Sequence, residues 1–363
     1  MKITKNVEQL NEIFKSNNFD FFIVGGAVRD FHLGVDPHDF DAVTNAFPND
    51  IIRMMHKHKI QTIEIGKAFG VIVAIFDDEQ IEIATYREDI GEGRRPDSVK
   101  FSTIDRDVLR RDFTINAMFY DIDKKETTDL VGGLDDLKNG IIRTVGDPHQ
   151  RFTEDNLRKL RGIRFKNKLG FTYDSETEKA LLLSNSLLRV SDERIRKEFI
   201  SSITSAKDTI SLLSDIQNFN HTKNIFRNLV INTDYIHCNN YIIQMAILLK
   251  DNHPYTVGKE LNRMSYTDKE IKNVNFLLHL KKFTTDKIKE IKNMQKLSSL
   301  TRDEIIDFAK IKNLDLPLIN KILNFNLTVS GDDESLQHLK GKELGDKIKE
   351  LEIELFLNEK IYF

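Results

Sequence analysis

Apolar and polar positions divide the chain into two regimes. The N-terminal eighteen residues, MKITKNVEQLNEIFKSNN, repeat their apolar positions at helical spacing and predict an amphipathic helix. Phe21 to Val24 is a short apolar β-type run that meets Gly25-Gly26, and the pattern from Ala27 to Leu33 is helical. Gly70 to Phe76 and Ile81 to Arg87 are two strand-like runs, and the polar Asp77-Asp78-Glu79-Gln80 between them predicts a hairpin. A further strand ends near Tyr120, and Ile141 to Val145 predicts one more. This alternation implies an α/β or α+β domain with a small, mixed or mainly antiparallel sheet. Beyond residue 148 helical spacing takes over. Leu157, Leu160 and Ile163 share a face, as do Ile195 and Phe199, and only Pro254 and Pro317 interrupt the region. The expectation is an all-helical remainder. The chain shows no internal repeat.

Length and charge refine that picture. At 363 residues, two or three domains are expected. Lys and Arg number 54 against 57 Asp and Glu, a formal net charge of -3, which excludes a generally basic coat. Charge is uneven, however: Lys259 to Lys296 holds ten Lys/Arg and five Asp/Glu, a candidate basic face. The single cysteine, Cys238, excludes an internal disulfide framework and a four-cysteine zinc site. With no 18-residue apolar stretch and no apolar signal core, a cytoplasmic protein without membrane contact is expected.

Candidate chemistry is densest in FFIVGGAVRDFHLGVDPHDFDAVT, residues 21–44. Gly25 and Gly26 let backbone N–H groups approach phosphate oxygens, and Arg29 adds a fork suited to the same ligand. Alone, such a turn is ordinary. Asp39 and Asp41 follow, one residue apart in an expected strand, so both carboxylates project from one face. Their repulsion is relieved by a divalent cation, and hard oxygen donors favour Mg²⁺. Glu82, a carboxylate within the strand-like IEIATYR, completes an expected triad of Asp39, Asp41 and Glu82. Two bound ions would activate an attacking hydroxyl and neutralise a pyrophosphate leaving group.

These residues resemble the first motif of the DNA polymerase β-like nucleotidyltransferases. The chain is more specifically similar to class II tRNA nucleotidyltransferases, the CCA-adding enzymes, and to their relatives the bacterial poly(A) polymerases. GGAVRD with DFD is similar to the first motif and RRDFTINAM (110–118) to the second. DLVGGLDDLKNGIIRTVGDP (129–148), EDNLRKLRGIRF (154–165) and SDERIRKEF (191–199) resemble the third, fourth and fifth, and residues 330–352 resemble the closing tail segment. The resemblance implies an α+β catalytic head at 1–148, then a helical neck at 149–205, a body at 206–300 and a tail at 301–363 that binds tRNA. It also implies addition of CMP, CMP and AMP to the tRNA acceptor end from CTP and ATP, with two Mg²⁺ ions and no obligate protein partner.

Choosing a nucleotide without a template needs protein groups that act as a base edge. Asp155 accepts only and Arg158 donates only, and their i, i+3 spacing puts them on one face of an expected helix. Cytosine and adenine both offer an amino donor beside a ring-nitrogen acceptor, so one such pair accepts C and A and rejects U and G. Similarity to the family's nucleotide-binding helix assigns this role to Glu154, Asp155, Arg158 and Arg161, with Glu154 mainly a support. Arg111 suits phosphate, and Asp112 with Asn116 suits a ribose hydroxyl. Arg87 to Pro96, including Glu88, Arg94 and Arg95, is charged and glycine-bearing, hence an expected mobile loop. In CCA-adding enzymes a flexible loop at this place helps the change from C to A addition. Competing readings are a poly(A) polymerase, an enzyme adding only CC or only A, and a non-catalytic RNA-binding protein. The segment IGKAFGVIVA (65–74) looks more like the CCA-adding branch than the Arg-rich equivalent of the polymerases.

Overall fold

The structure, a computed structural model, describes every residue except 38, 91–97, 184–186, 188, 233–237, 239 and 360–363. The chain forms two compact units, Met1–Val190 and Ser191–Phe363.

The first unit runs α1 (Lys5–Ser16), β1 (Phe22–Val24), α2 (Gly26–His32), β2 (Asp41–Thr44), α3 (Pro48–Lys57), β3 (Gln61–Ile63), β4 (Val71–Ile75), β5 (Gln80–Thr85), β6 (Arg87–Ile90) and β7 (Ser98–Phe101). It continues through α4 (Ile104–Asp107), β8 (Met118–Asp121), β9 (Glu126–Asp129), α5 (Gly133–Asn139), β10 (Ile141–Ile142), α6 (Pro148–Glu154), α7 (Leu157–Leu169), β11 (Thr172–Tyr173) and α8 (Ser175–Leu183). Among the described residues, seven strands make one mixed sheet in the order β3-β4-β5-β2-β1-β8-β9. Within this sheet β2 and β5 pair in parallel and the other neighbours are antiparallel.

The sheet forms where the sequence alternates. In β5, Ile81 and Ile83 are buried while Gln80 and Glu82 are exposed, the period expected of a strand with one open face. The expected hairpin is β4 with β5. Val24, Val43, Tyr86, Val108, Ala117, Phe119 and Val145 form a shared core. Helix α1 starts at Thr4, whose side chain accepts from the Val7 N–H, and buries Val7, Leu10, Ile13 and Phe14.

Two expectations change. The strand predicted over Ile141 to Val145 is ladder only at Ile141 and Ile142, which pair with β11. The following residues turn to a different partner: the Arg143 carbonyl accepts from Thr114 N–H and the Val145 N–H donates to the Asp112 carbonyl, each at 3.0 Å. This also places a short strand, β11, within the region expected to be wholly helical. The expected loop from Arg87 begins as β6, paired antiparallel with β7. Arg87 and Glu88 therefore lie in a two-stranded ribbon, whereas Arg94 and Arg95 lie outside the described residues.

The second unit is helical among the described residues: α9 (Asp192–Ser205), α10 (Thr209–Asn218), α11 (Thr222–Ile225), α12 (Tyr241–Leu248), α13 (Pro254–Arg263), α14 (Asp268–Lys281), α15 (Ile288–Leu297), α16 (Arg302–Ile311), α17 (Leu316–Asn324) and α18 (Gly341–Asn358). Capping boxes start α14 at Thr267/Glu270 and α16 at Thr301/Glu304. Lys292 is buried, and its ammonium bonds the Ile322 and Leu323 carbonyls at 3.0 and 3.2 Å, fixing α15 to the end of α17. Among the described residues no helix is long and apolar enough to cross a membrane.

Candidate active site

The strand register collects the first candidate residues. Val24 pairs with Asp41 across β1 and β2, and Asp41 pairs with Glu82 across β2 and β5. Directly opposed residues of a parallel pair share a face, so the two carboxylates stand side by side on the open side of the sheet, both exposed. The chain leaves β1 at Gly25, whose φ of 72° and ψ of -131° suit glycine alone. A Cβ there would lie 3.9 Å from Asp41 Oδ2, so the turn runs beside the carboxylate.

Asp39 does not share the strand. It lies in a bend, and β2 begins only at Asp41. Phe40 between them is 3% exposed and faces the core, while both acids are exposed. Among the described residues no group of three His, Cys, Asp or Glu is placed to hold a metal, so the expected triad is not a preassembled cage. The physical reason is mutual: three uncompensated carboxylates repel. Asp41 records that repulsion. Surrounding protein mass, then Glu82 and Asp39, push its carboxyl up to about 6, and Arg111 pulls it down. Asp41 nonetheless remains open to solvent. An adjacent pair of hard oxygen donors with excess negative charge fits a divalent cation whose remaining ligands come from substrate phosphates.

The second motif supplies the cations. Asp107, fully buried at the end of α4, accepts from Arg110 Nε at 2.9 Å and from Arg111 Nε and Nη2 at 3.3 and 2.9 Å. Burial opposes ionisation, but Arg111 and Arg110 hold the Asp107 carboxyl below its usual range. Arg111 also stacks over Phe119 at 5.0 Å. Its Nη1 has no hydrogen-bond partner among the described residues. Asp107 was not among the residues singled out from sequence; its signal was an acid three and four places before an Arg pair.

Asp112 and Asn116, expected to suit a ribose hydroxyl, are each engaged within the protein. Asp112 precedes a single 3₁₀ turn, Thr114–Asn116. Asp112 Oδ2 is held by Arg161 of α7 at 2.6 Å, and its Oδ1 accepts from the Phe113 N–H. Against burial, Arg161 and Arg158 draw the Asp112 carboxyl down. Asn116 Oδ1 accepts from Arg29 Nη1 at 2.7 Å.

Arg29 is likewise placed differently from the phosphate fork expected of it. It is 4% exposed, bonded to Asp30 and Asn116, and lies 5.4 Å from the Phe165 ring centre. It joins α2 to the second motif and α7. Burial against Phe165 outcompetes the solvent-facing pose that its sequence position invites.

The segment expected to read the base is also arranged differently. Helix α6 ends at Glu154, Asp155 adopts extended backbone and α7 begins at Leu157, so Asp155 and Arg158 do not share a helix. Asp155 Oδ1 accepts from the Leu157 N–H at 3.1 Å, starting α7. Glu154 brackets two arginines, accepting from Arg151 at 2.6 Å and Arg158 at 2.9 Å. Those arginines also donate to the second motif: Arg151 to the Leu109 carbonyl at 2.7 Å and Arg158 to the Arg110 carbonyl at 2.8 Å.

The third motif is a packing device. A Cβ on Gly133 would stand 2.3 Å from the Thr114 carbonyl oxygen. Asp136 accepts from Thr114 Oγ1 at 2.7 Å and from Arg143 Nε at 3.0 Å, and Arg143 reaches Asp174 at 2.8 Å.

The chain is similar to known proteins in sequence and in fold. Residues 21–143 match the poly A polymerase head domain family. The chain is 42% identical over 186 residues to the CCA-adding enzyme of Lactobacillus helveticus, a match covering 50% of this chain and 45% of that one. It is 43% identical over 182 residues to that of Bacillus subtilis, covering 49% and 45%. The chain thus spans about half the length of these curated relatives in its matched region. Among solved structures, the Bacillus stearothermophilus CCA-adding enzyme in complex with CTP superposes with a TM-score of 0.71 at 21% identity, covering 98% of this chain and 94% of that one. The Thermotoga maritima CCA-adding enzyme complexed with tRNA gives 0.64 at 19%, covering 99% and 94%. The fold is theirs: an N-terminal mixed sheet followed by helices.

Proposed function

We propose that this chain is a template-independent tRNA nucleotidyltransferase that builds CCA on tRNA 3′ ends from CTP and ATP and releases pyrophosphate. The observation that carries the reading is the bonding of two α7 residues onto the second motif, Arg158 to the Arg110 carbonyl and Arg161 to Asp112. It sets the base-reading residues beside Arg111, and Arg111 acts electrostatically on Asp41. The head, neck, body and tail are proposed at 1–148, 149–205, 206–300 and 301–363, in the cytoplasm, with tRNA held partly by the basic stretch Lys259 to Lys296.

Asp39 and Asp41, with Glu82 beside them, would hold Mg²⁺. The ions supply activation of the attacking 3′ hydroxyl and charge neutralisation of the departing pyrophosphate. Gly25 and Gly26 admit the triphosphate close to the backbone. Arg111 meets its phosphates with its remaining nitrogen. Asn116, its oxygen engaged by Arg29, offers its amide N–H groups to the ribose, and Asp112 positions Arg161. Asp155 and Arg158 present an acceptor and a donor to the base edge, with Glu154 as the support that orients Arg158. Arg29 is a strut. In this reading the ribbon that starts at Arg87 and Glu88 is the moving element.

The test offers each of the four nucleotides singly, and CTP with ATP, to purified protein with Mg²⁺ and a tRNA lacking its 3′ CCA. C and A are expected to enter and U and G to be refused. Equal use of all four would overturn the base-edge account.

A further inference from the structure

Asp107 carries more than one tie. A charged side chain with no solvent exposure persists only where partners replace its water. Here its two oxygens are shared between distant segments. Oδ1 accepts from the Arg87 backbone N–H at 3.2 Å and from Arg110 Nε at 2.9 Å, and Oδ2 accepts from both Nε and Nη2 of Arg111. One carboxylate therefore joins the first residue of the β6/β7 ribbon to both arginines of the second motif. The ribbon's base is held again by the Arg87 guanidinium, which donates to the Phe69 carbonyl. On the other side of the same turn, the Leu109 and Arg110 carbonyls hold Arg151 and Arg158.

We infer that Asp107 is a positioning residue that couples the β6/β7 ribbon to the nucleotide site, so that displacement of the ribbon moves Arg111 and the carbonyl that holds Arg158. The inference rests on the reading that Arg111 meets the nucleotide's phosphates. A buried acid that merely braces two arginines would add stability without linking ligand to ribbon. A coupler must act in both directions: nucleotide at Arg111 must tighten the ribbon.

Hydrogen exchange on the full chain, with and without CTP and Mg²⁺, distinguishes these roles. In the natural protein CTP is expected to slow exchange at Arg87–Ile90 and Ser98–Phe101. Asp107→Asn keeps the size and removes the charge. It should speed ribbon exchange about tenfold without nucleotide, the loss of one charge-assisted bond. It should also abolish the protection of the ribbon by CTP while protection near Asn116 persists. Equal CTP protection of the ribbon in both proteins overturns the coupling. If CTP protects no amide in the natural protein, nucleotide binding itself fails, and ribbon exchange without nucleotide still decides: unchanged rates in Asp107→Asn refute the inference. Should Asp107→Asn not fold, Arg111→Lys loosens the other end of the tie. Faster ribbon exchange in that variant supports the coupling, and unchanged exchange overturns it.

Discussion

Asp41 and Glu82 occupy opposed positions on the parallel strands β2 and β5, two carboxylates on one open face. Surrounding protein mass, then Glu82 and Asp39, raise Asp41 from 3.8 to about 6 against the pull of Arg111. A carboxyl raised in the folded state holds its proton more tightly folded than unfolded. Cation-free protein therefore loses this contribution to stability as pH rises from about 4 to about 6. A divalent cation reverses the loss, but only once the proton has left. The thermal-melt shift produced by Mg²⁺ should be small at about pH 5 and fully developed by about pH 7. A shift of equal size at both values would contradict the shared site.

Arg161 and Asp112 form a mostly buried pair 2.6 Å apart, with Arg161 the more exposed partner. Removing the carboxylate leaves Arg161 without it. Asp112→Ala should lower unfolding free energy by about 2 kcal/mol, below the full value for a fully buried pair because Arg161 reaches water. Urea unfolding measures it, and a change under about 0.5 kcal/mol would show the pair to be idle.

Gly133 has no room for a methyl group against the Thr114 carbonyl oxygen. Gly133→Ala must displace the backbone of the second motif. An expected loss of about 3 kcal/mol, read by thermal or urea unfolding, should come with loss of nucleotide binding. An unchanged midpoint would mean that this contact relaxes freely.

Arg158 is held by Glu154 and by the carbonyls of Arg151 and Arg110. Arg158→Ala should reduce discrimination between C or A and U or G by at least about tenfold, the worth of one base-edge hydrogen bond to a charged group. Incorporation from single nucleotides measures it. Retained selectivity would remove Arg158 from base reading.

Much of this was legible in the chain, for physical reasons. The β4/β5 hairpin follows from alternation around a polar tetrapeptide, and α2 follows from the glycine turn. What was hidden depends on competition between partners. The i, i+3 spacing of Asp155 and Arg158 imitates a helix, yet Asp155 lies between α6 and α7 and accepts from the Leu157 N–H. Asp39 matches strand spacing but falls two residues before the ladder begins at Asp41. Arg29 looks like a phosphate ligand until Asn116 and Phe165 bury it. Asp107 shows only its spacing to the Arg110–Arg111 pair in sequence; its tie to Arg87, twenty residues away, exists only in the fold.

The central claim concerns what is added to RNA and when addition stops. The direct measurement sequences the 3′ ends formed by purified protein on a tRNA ending before CCA, with Mg²⁺, CTP and ATP together. The account predicts two C and one A followed by arrest, and no product from Asp41→Ala despite retained folding. Continued A addition, arrest after two C, or full activity in Asp41→Ala would contradict it.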